Sequence, residues 1–248
     1  MSVRALRLGG LVGAAGAAFA AVAAHAGPAV TSVPAVRNRW APRLCGLGEP
    51  GHVALTFDDG PDATSTPQFL TALDRLGWTA TFFLLGDSVR ANPGIAAEVA
   101  AAGHEIALHG DVHRSHLART PRAVAADIER SLALVEEVTG KRPFWFRPPY
   151  GILSGATLGV CGRLGLRPVL WTAWGRDWRA EADASSVAQD VASGRLPGGT
   201  VLLHDSDCTS APGAWHSALD ALPLLADLFS VHRLKVGPLA EHGLLQSA

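Results

Sequence analysis

Two carboxylates stand side by side in the run Thr56-Phe57-Asp58-Asp59-Gly60-Pro61. Asp-Gly-Pro is a turn signal, and an isolated acidic pair at a turn is commonly solvated. Here the apolar run VALTF (53–57) leads straight into the pair. Carboxylates pressed against a buried strand end are costly unless a metal or another cation compensates them. Further along, HGDVHRSH sets His109 and His113 four residues apart, with His116 three beyond. The i, i+4 spacing puts two imidazoles on one side of a helical turn, where they suit a single metal. With one carboxylate they form a His2Asp set that leaves coordination positions open for water and substrate, the mark of a catalytic rather than a structural site. Zn2+ is the expected ion, and Co2+ suits the same donors.

Three more polar groups follow apolar runs. Arg147 precedes Pro148-Pro149-Tyr150-Gly151, Asp177 precedes Trp178, and His204-Asp205 follows Val201-Leu202-Leu203. Each has an ordinary explanation alone: a rigid strand exit, a surface ion pair, a hydrogen-bonded core histidine. An arginine in such a place also holds a carboxylate in a two-pronged grip. Trp145, Trp171, Trp174 and Trp178 form a dense aromatic set, of which core packing explains most members. One or two at a rim would stack on a sugar face. His52, His104, His216, His232 and His242 show no partner pattern.

These groups need elements to hold them. Short apolar runs recur at 53–57, 79–86, 104–109, 144–146, 167–174, 199–204 and 233–236. Helical patterns lie between them, at 66–76, 93–102, 121–139 (ending at Gly140) and 215–229. Strands alternating with helices indicate an α/β fold with a parallel sheet buried on both faces. Six or seven such units close more naturally into a barrel than lie open. In a parallel barrel the polar strand ends meet at one rim, where active sites assemble.

Composition narrows the rest. The chain has 248 residues, 48% hydrophobic and 17% charged, with a net charge of −1. That excludes extensive disorder and a nucleic-acid binder acting through bulk positive charge. Residues 1–26 read as a signal peptide, with Arg4 and Arg7, an uncharged apolar run and Ala24-His25-Ala26, or as an uncleaved anchor. Membrane contact is expected only there, and the mature chain is expected to be secreted or attached to the cell envelope. Residues 27–50, rich in Pro and Gly, read as a linker into a domain spanning 51–248. Cys45, Cys161 and Cys208 allow three pairings, which the sequence does not rank, and leave one thiol over.

Taken together in order, these motifs resemble those of the polysaccharide deacetylases, carbohydrate esterase family 4 with its NodB homology domain. The resemblance spans residues 50–240. It rests on Thr56 to Pro61, on His109 with His113, on Arg147 to Tyr150, on Asp177-Trp178 and on Leu202-Leu203-His204. It implies a distorted (β/α) barrel with about seven parallel strands. It also implies roles. Asp58 would be the general base, and Asp59 a metal ligand with His109 and His113. Arg147 would hold Asp58, and Asp177 would tune the Arg147 side of the site. The Tyr150 N–H would help form an oxyanion hole, Trp178 and Leu202 would shape an acetyl pocket, and His204 would be the general acid. The chemistry of the residues alone does not tell Asp58 from Asp59.

Two positions depart from the family pattern. Gly110 stands where a bracing Ser or Thr is common, and Trp174 where an Asp is common. The implied reaction is removal of N-acetyl groups from an amino-sugar polymer such as peptidoglycan or a chitin-like glycan. The alternatives are O-acetyl esterase action on acetylated xylan, and a catalytically silent carbohydrate-binding protein. A metal-dependent phosphoesterase would need more carboxylates near the histidines.

Overall fold

The computed structural model describes residue 16 and residues 19–244. Most of the expected leader, residues 1–15 and 17–18, lies outside the described residues. Among the described residues no single helix is long and apolar enough to cross a membrane, and Phe19–Ser32 meets Pro34–Trp40 at 98°.

Eight strands form one sheet in which every pairing is parallel: β1 (His52–Asp58), β2 (Thr81–Leu85), β3 (Glu105–Gly110), β4 (Trp145–Phe146), β5 (Arg167–Pro168), β6 (Ala173–Trp174), β7 (Thr200–His204) and β8 (Lys235–Gly237). The order is β5-β4-β3-β2-β1-β7-β6, with β8 on the first half of β1. The apolar run 167–174 is therefore not one strand of one ladder. Its start pairs with β4 and its end with β7, so a single extended segment joins the two edges of the curled sheet. Counted as chain passages there are seven, and the fold is an α/β half-barrel curled until one segment spans its seam.

Strand periodicity explains what faces inward. On β1, Val53, Leu55 and Phe57 pack outward against the helices, while Ala54 lies in the separate inner cluster with Phe83, Ala107, Trp145 and Val169. Side chains alternate with period two, so Thr56 and Asp58 share the face of Ala54. The same parity puts His109 with Ala107, Arg147 with Trp145, and His204 with Leu202. Asp58, His109, Arg147 and His204 thus sit on the inner face at carboxyl ends of strands. The outer layer is aromatic at its centre: the Phe57 ring stacks on Phe82 at 5.0 Å and meets Phe69 edge-on at 5.1 Å. Covering helices have defined ends. Thr120 caps Pro121–Thr139 by accepting from the Ala123 N–H, and Gly140 closes it with φ 66°.

The segment 27–50 is more than a linker. The helix Pro34–Trp40 buries Arg37, whose Nη2 donates to the Trp171 carbonyl at 3.2 Å. The Leu170 N–H donates to Leu44 at the seam, Gly48 to Gly198, and Thr200 Oγ1 to the Gly46 carbonyl at 2.8 Å. His242, paired with His52 through their Nδ1 atoms at 2.8 Å, also reaches the Gly46 carbonyl. Composition read the prolines as a break, whereas the segment supplies backbone partners that the barrel's seam and floor would otherwise lack. All three cysteines are free, Cys45 and Cys161 buried and Cys208 exposed.

A chain beginning at Gly51 should therefore unfold at least about 10 °C below one beginning at Gly27, since several buried hydrogen bonds worth about 1 kcal/mol each go with the segment. Thermal unfolding of both chains checks this, and equal midpoints would make 27–50 a linker after all.

Candidate active site

Asp58 and Asp59 part company at the end of β1. Asp58 keeps strand geometry and points inward. Asp59 takes φ 79°, uncommon for a residue with a side chain, and turns its carboxylate toward the histidines. Asp58 Oδ1 accepts from Arg147 Nη1 at 2.7 Å, and the same nitrogen reaches Thr56 Oγ1 at 2.9 Å. Arg147 is fully buried. Its Nη2 donates to the Leu170 carbonyl at 2.9 Å, and its guanidinium lies 4.0 Å from the Phe83 ring centroid. An arginine so enclosed is tolerable only because a carboxylate, carbonyls and an aromatic face all meet it.

Asp59 Oδ1 has no hydrogen-bond partner although buried. It lies 3.4 Å from Nε2 of both His109 and His113. Each of these residues offers one ligand atom, all within 4.8 Å of one another. The His109 Nδ1 sits 2.8 Å from the Arg147 carbonyl, which can only accept. Nδ1 therefore carries a proton, and Nε2 faces Asp59. Burial, reinforced by the neighbouring His109, pushes His113 down to about 4, so its imidazole is neutral as a ligand must be. Burial alone would raise the Asp59 carboxyl, yet its interactions with His109, His204 and His113 hold it far below the usual range. A buried carboxylate oxygen facing two imidazole nitrogens fits a divalent cation of the Zn2+ type.

The pairing of His109 with His113 is not helical. His109 ends β3 and His113 lies in the loop beyond it. Gly110, at φ 104°, turns the chain so that the two rings converge, 5.2 Å apart. Where a hydroxyl was expected to brace this loop, the Asp127 carboxylate does so. It accepts from the Asp111 N–H at 2.8 Å and from Arg119, and lies 3.5 Å from Nε2 of His116. His116 is thus in the brace, not in the ligand set.

His204 stands beside Asp58, its register partner across β1 and β7. Asp177 accepts from the His204 backbone N–H at 2.7 Å and from its Nδ1 at 3.0 Å. This corrects the expected role of Asp177 on the Arg147 side, because both of its oxygens are committed to His204. Burial by itself would lower the imidazole, but the Asp177 carboxylate, aided by Asp59 and Asp58, raises it to about 10. His204 therefore carries its proton through neutral pH.

Asp58, His109, His113 and His204 line one cavity of about 350 Å3 with Tyr150, Gly151, Trp171, Trp174, Trp178, Leu202 and Thr209. Three of the four tryptophans are in this wall, with centroids 5.4 and 6.1 Å apart along Trp171, Trp174 and Trp178. Trp145 is in the inner core, its Nε1 donating to Glu105. Tyr150 is exposed, has φ 61° and meets the His113 ring edge-on at 4.4 Å. Gly151 follows at φ 66°, where a Cβ would lie 2.5 Å from the Trp171 ring.

Sequence reasoning gave Asp205 no role. It is buried and accepts from the Gly60 N–H at 3.2 Å and from Thr66 Oγ1 at 2.6 Å, tying down the turn that carries Asp58 and Asp59. Burial, with Asp59 nearby, raises its carboxyl to about 7. Asp127 was missed too, although it falls in the buried stripe Val124, Ile128, Ser131, Leu132 and Val135 of its helix. A carboxylate on an apolar stripe was the available signal.

Replacing Asp205 with Ala should cost about 2–4 kcal/mol, since two buried donors lose their acceptor, and denaturant unfolding measures it. Replacing Asp177 with Asn should lower the His204 pKa, so the imidazole loses its proton at lower pH. Its raised value also means that the Asp177 pair contributes stability fully below about pH 6.5, lost as pH rises through about 10. NMR titration of the His204 ring in both proteins reads the shift directly.

The chain is similar to known proteins in sequence and in fold. The family model described as polysaccharide deacetylase matches residues 47–169. A peptidoglycan-N-acetylglucosamine deacetylase of Listeria monocytogenes is 35% identical over 159 residues, 64% of this chain, which spans only 33% of that protein's length. A chitooligosaccharide deacetylase of a Bradyrhizobium species is 35% identical over 171 residues, 68% of this chain and 76% of its own. The solved structure of the Bc1960 peptidoglycan N-acetylglucosamine deacetylase, in complex with 4-naphthalen-1-yl-N-oxidanyl-benzamide, superposes with a TM-score of 0.73 at 27% identity, covering 81% of this chain and 92% of that one.

Proposed function

The chain belongs to the polysaccharide deacetylase family, and from that premise we propose that it is a metal-dependent hydrolase removing N-acetyl groups from an amino-sugar polymer of the peptidoglycan or chitin type. The observation that carries the reading is that Asp58 held by Arg147, His204 held by Asp177, and His109 and His113 line one cavity, with the buried Asp59 carboxylate against both imidazoles. A site able to bind sugar without reacting on it would not need that set.

Asp59, His109 and His113 would hold the cation. When bound, a Zn2+-type ion lowers the pKa of water from about 15.7 toward about 7 and polarises a carbonyl oxygen. The chain's own groups do the rest. Arg147 fixes Oδ1 of Asp58, which leaves Oδ2 to take a proton from the attacking water. The Tyr150 N–H, on a backbone turned over the cavity, would donate to the developing oxyanion, a contribution of about 2.7–4 kcal/mol. His204 would give its proton to the departing amine, which is otherwise a poor leaving group. Its Nδ1 is occupied by Asp177, so Nε2 is the donor. Trp178 and Leu202 would enclose the acetyl methyl, and the tryptophan wall would exclude water and face the sugar ring. The reading carries with it export directed by residues 1–26 and action at the cell envelope.

Acetate release from N-acetylglucosamine oligomers and from peptidoglycan tests this, with acetylated xylan alongside. Chelation should abolish release, and Zn2+ or Co2+ should restore it. Asp58→Asn and His204→Ala should each lower kcat by about 10²–10⁴ while bound metal is retained. Activity within tenfold of the parent in either variant would overturn the roles. Release from xylan alone would make the protein an esterase.

A further inference from the structure

A second cavity of about 350 Å3 shares Trp171 and Trp174 with the first. Its other wall includes Arg37, Asn38, Arg176 and Asp190. No step of the proposed hydrolysis uses it. Arg37 is only 5% exposed. Its two Nη groups donate to neutral acceptors, the carbonyls of Ser32 at 2.8 Å and Trp171 at 3.2 Å, and its Nε–H has no acceptor. Among the described residues no carboxylate pairs with it. The adjacent Cys45 is no counter-ion, because burial raises its thiol and keeps it protonated, and its Sγ instead donates to Asn38. A guanidinium taken out of water without a counter-charge keeps most of its desolvation cost.

A further feature points the same way. Arg176 brings a second guanidinium, 6.0 Å from the Trp174 ring centroid. Its nearest carboxylate, Asp190, is 4.0 Å away and already held by Arg179 at 2.6 Å. Two guanidinium groups on one cavity, with one carboxylate that is committed elsewhere, suit a bound carboxylate. A sugar whose acetyl group enters the first cavity would carry the substituents of its neighbour across the shared tryptophans.

We propose that the second cavity is a subsite for a carboxylate borne by the sugar next to the one deacetylated. It would make the protein selective for glycans bearing a free carboxylate, such as strands whose lactyl ethers carry no peptide, over uncharged chitooligosaccharides. The inference rests on the deacetylase reading only for which sugar occupies the first cavity.

Binding tests it in the Asp58→Asn background, which retains metal and slows turnover. The probes are a β-1,4-linked N-acetylglucosamine tetramer and the same tetramer with 3-O-lactyl ethers on alternate sugars, titrated by calorimetry into the metal-loaded protein at low salt. The lactylated tetramer should bind about tenfold more tightly or better, and added salt should erode the difference. Arg176→Gln, at an exposed side chain that folding does not need, should remove about tenfold of that preference and leave the plain tetramer within twofold. Arg37→Gln should remove the remainder. Equal affinities in the parent, or an equal loss for both probes in Arg176→Gln, would overturn the subsite. Charge-selective binding with no acetate release when Asp58 is intact would overturn the reaction and leave the subsite standing. Release with no charge selectivity would do the reverse.

Discussion

Two neighbouring carboxylates cannot both be buried without separate positive partners, and the architecture of this rim answers that constraint. In a medium of low polarity the repulsion between Asp58 and Asp59 is large, and each is also deprived of water. The chain separates them by backbone conformation. Asp58 stays in register on the inner face of β1, against Arg147. Asp59, one residue later, leaves the strand with φ 79° and faces His109 and His113. One charge is met by a fixed guanidinium, and the other by two imidazoles. A difference in partner thus becomes a division of labour between chemically identical side chains.

Arg147 links the two halves of this arrangement. Its guanidinium holds Asp58 while its own carbonyl accepts from His109 Nδ1 and so aims Nε2 at Asp59. A shift of the β4 end would disturb Asp58 and the Asp59, His109 and His113 group together. Behind these contacts lie three acidic braces. Asp177 orients His204, Asp205 ties the Asp58-Asp59 turn to the helix beginning at Thr66, and Asp127 fixes the loop between the two histidines. Each carboxylate accepts from backbone or side-chain donors that would otherwise be buried unpaired. The tryptophan wall then supplies shape, and Trp171 and Trp174 also line the cavity that holds Arg37 and Arg176.

Much of this was legible in the sequence, because alternation along strands is a local property. Apolar runs ending in polar residues put Asp58, His109, Arg147 and His204 at strand ends, and period two puts them on one face. The i, i+4 spacing of His109 and His113 read correctly as convergence and wrongly as a helix, since Gly110 bends the loop through a conformation that spacing does not reveal. The run 167–174 looked like one strand, but which neighbour each end pairs with is decided by distant segments. The prolines between 27 and 50 suggested a break, and nothing local announced that Leu44 and Gly46 would complete hydrogen bonds at the seam and floor. Asp177 was tied by resemblance to the wrong partner, since a lone acidic residue in a loop carries no signal of which base it will face. Asp205 and Asp127 were visible only as acids in apolar surroundings.

The account stands on one cation held jointly by Asp59, His109 and His113. Zn2+ titrated into chelator-stripped protein, followed by calorimetry and by elemental analysis after dialysis, measures it most directly. The expected result is one tightly held ion per chain, released by replacing Asp59 with Ala and by replacing His109 with Ala, and retained when the bystander His216 is replaced. Undiminished binding in the Asp59 variant, or no ion retained by the parent protein, would contradict the account.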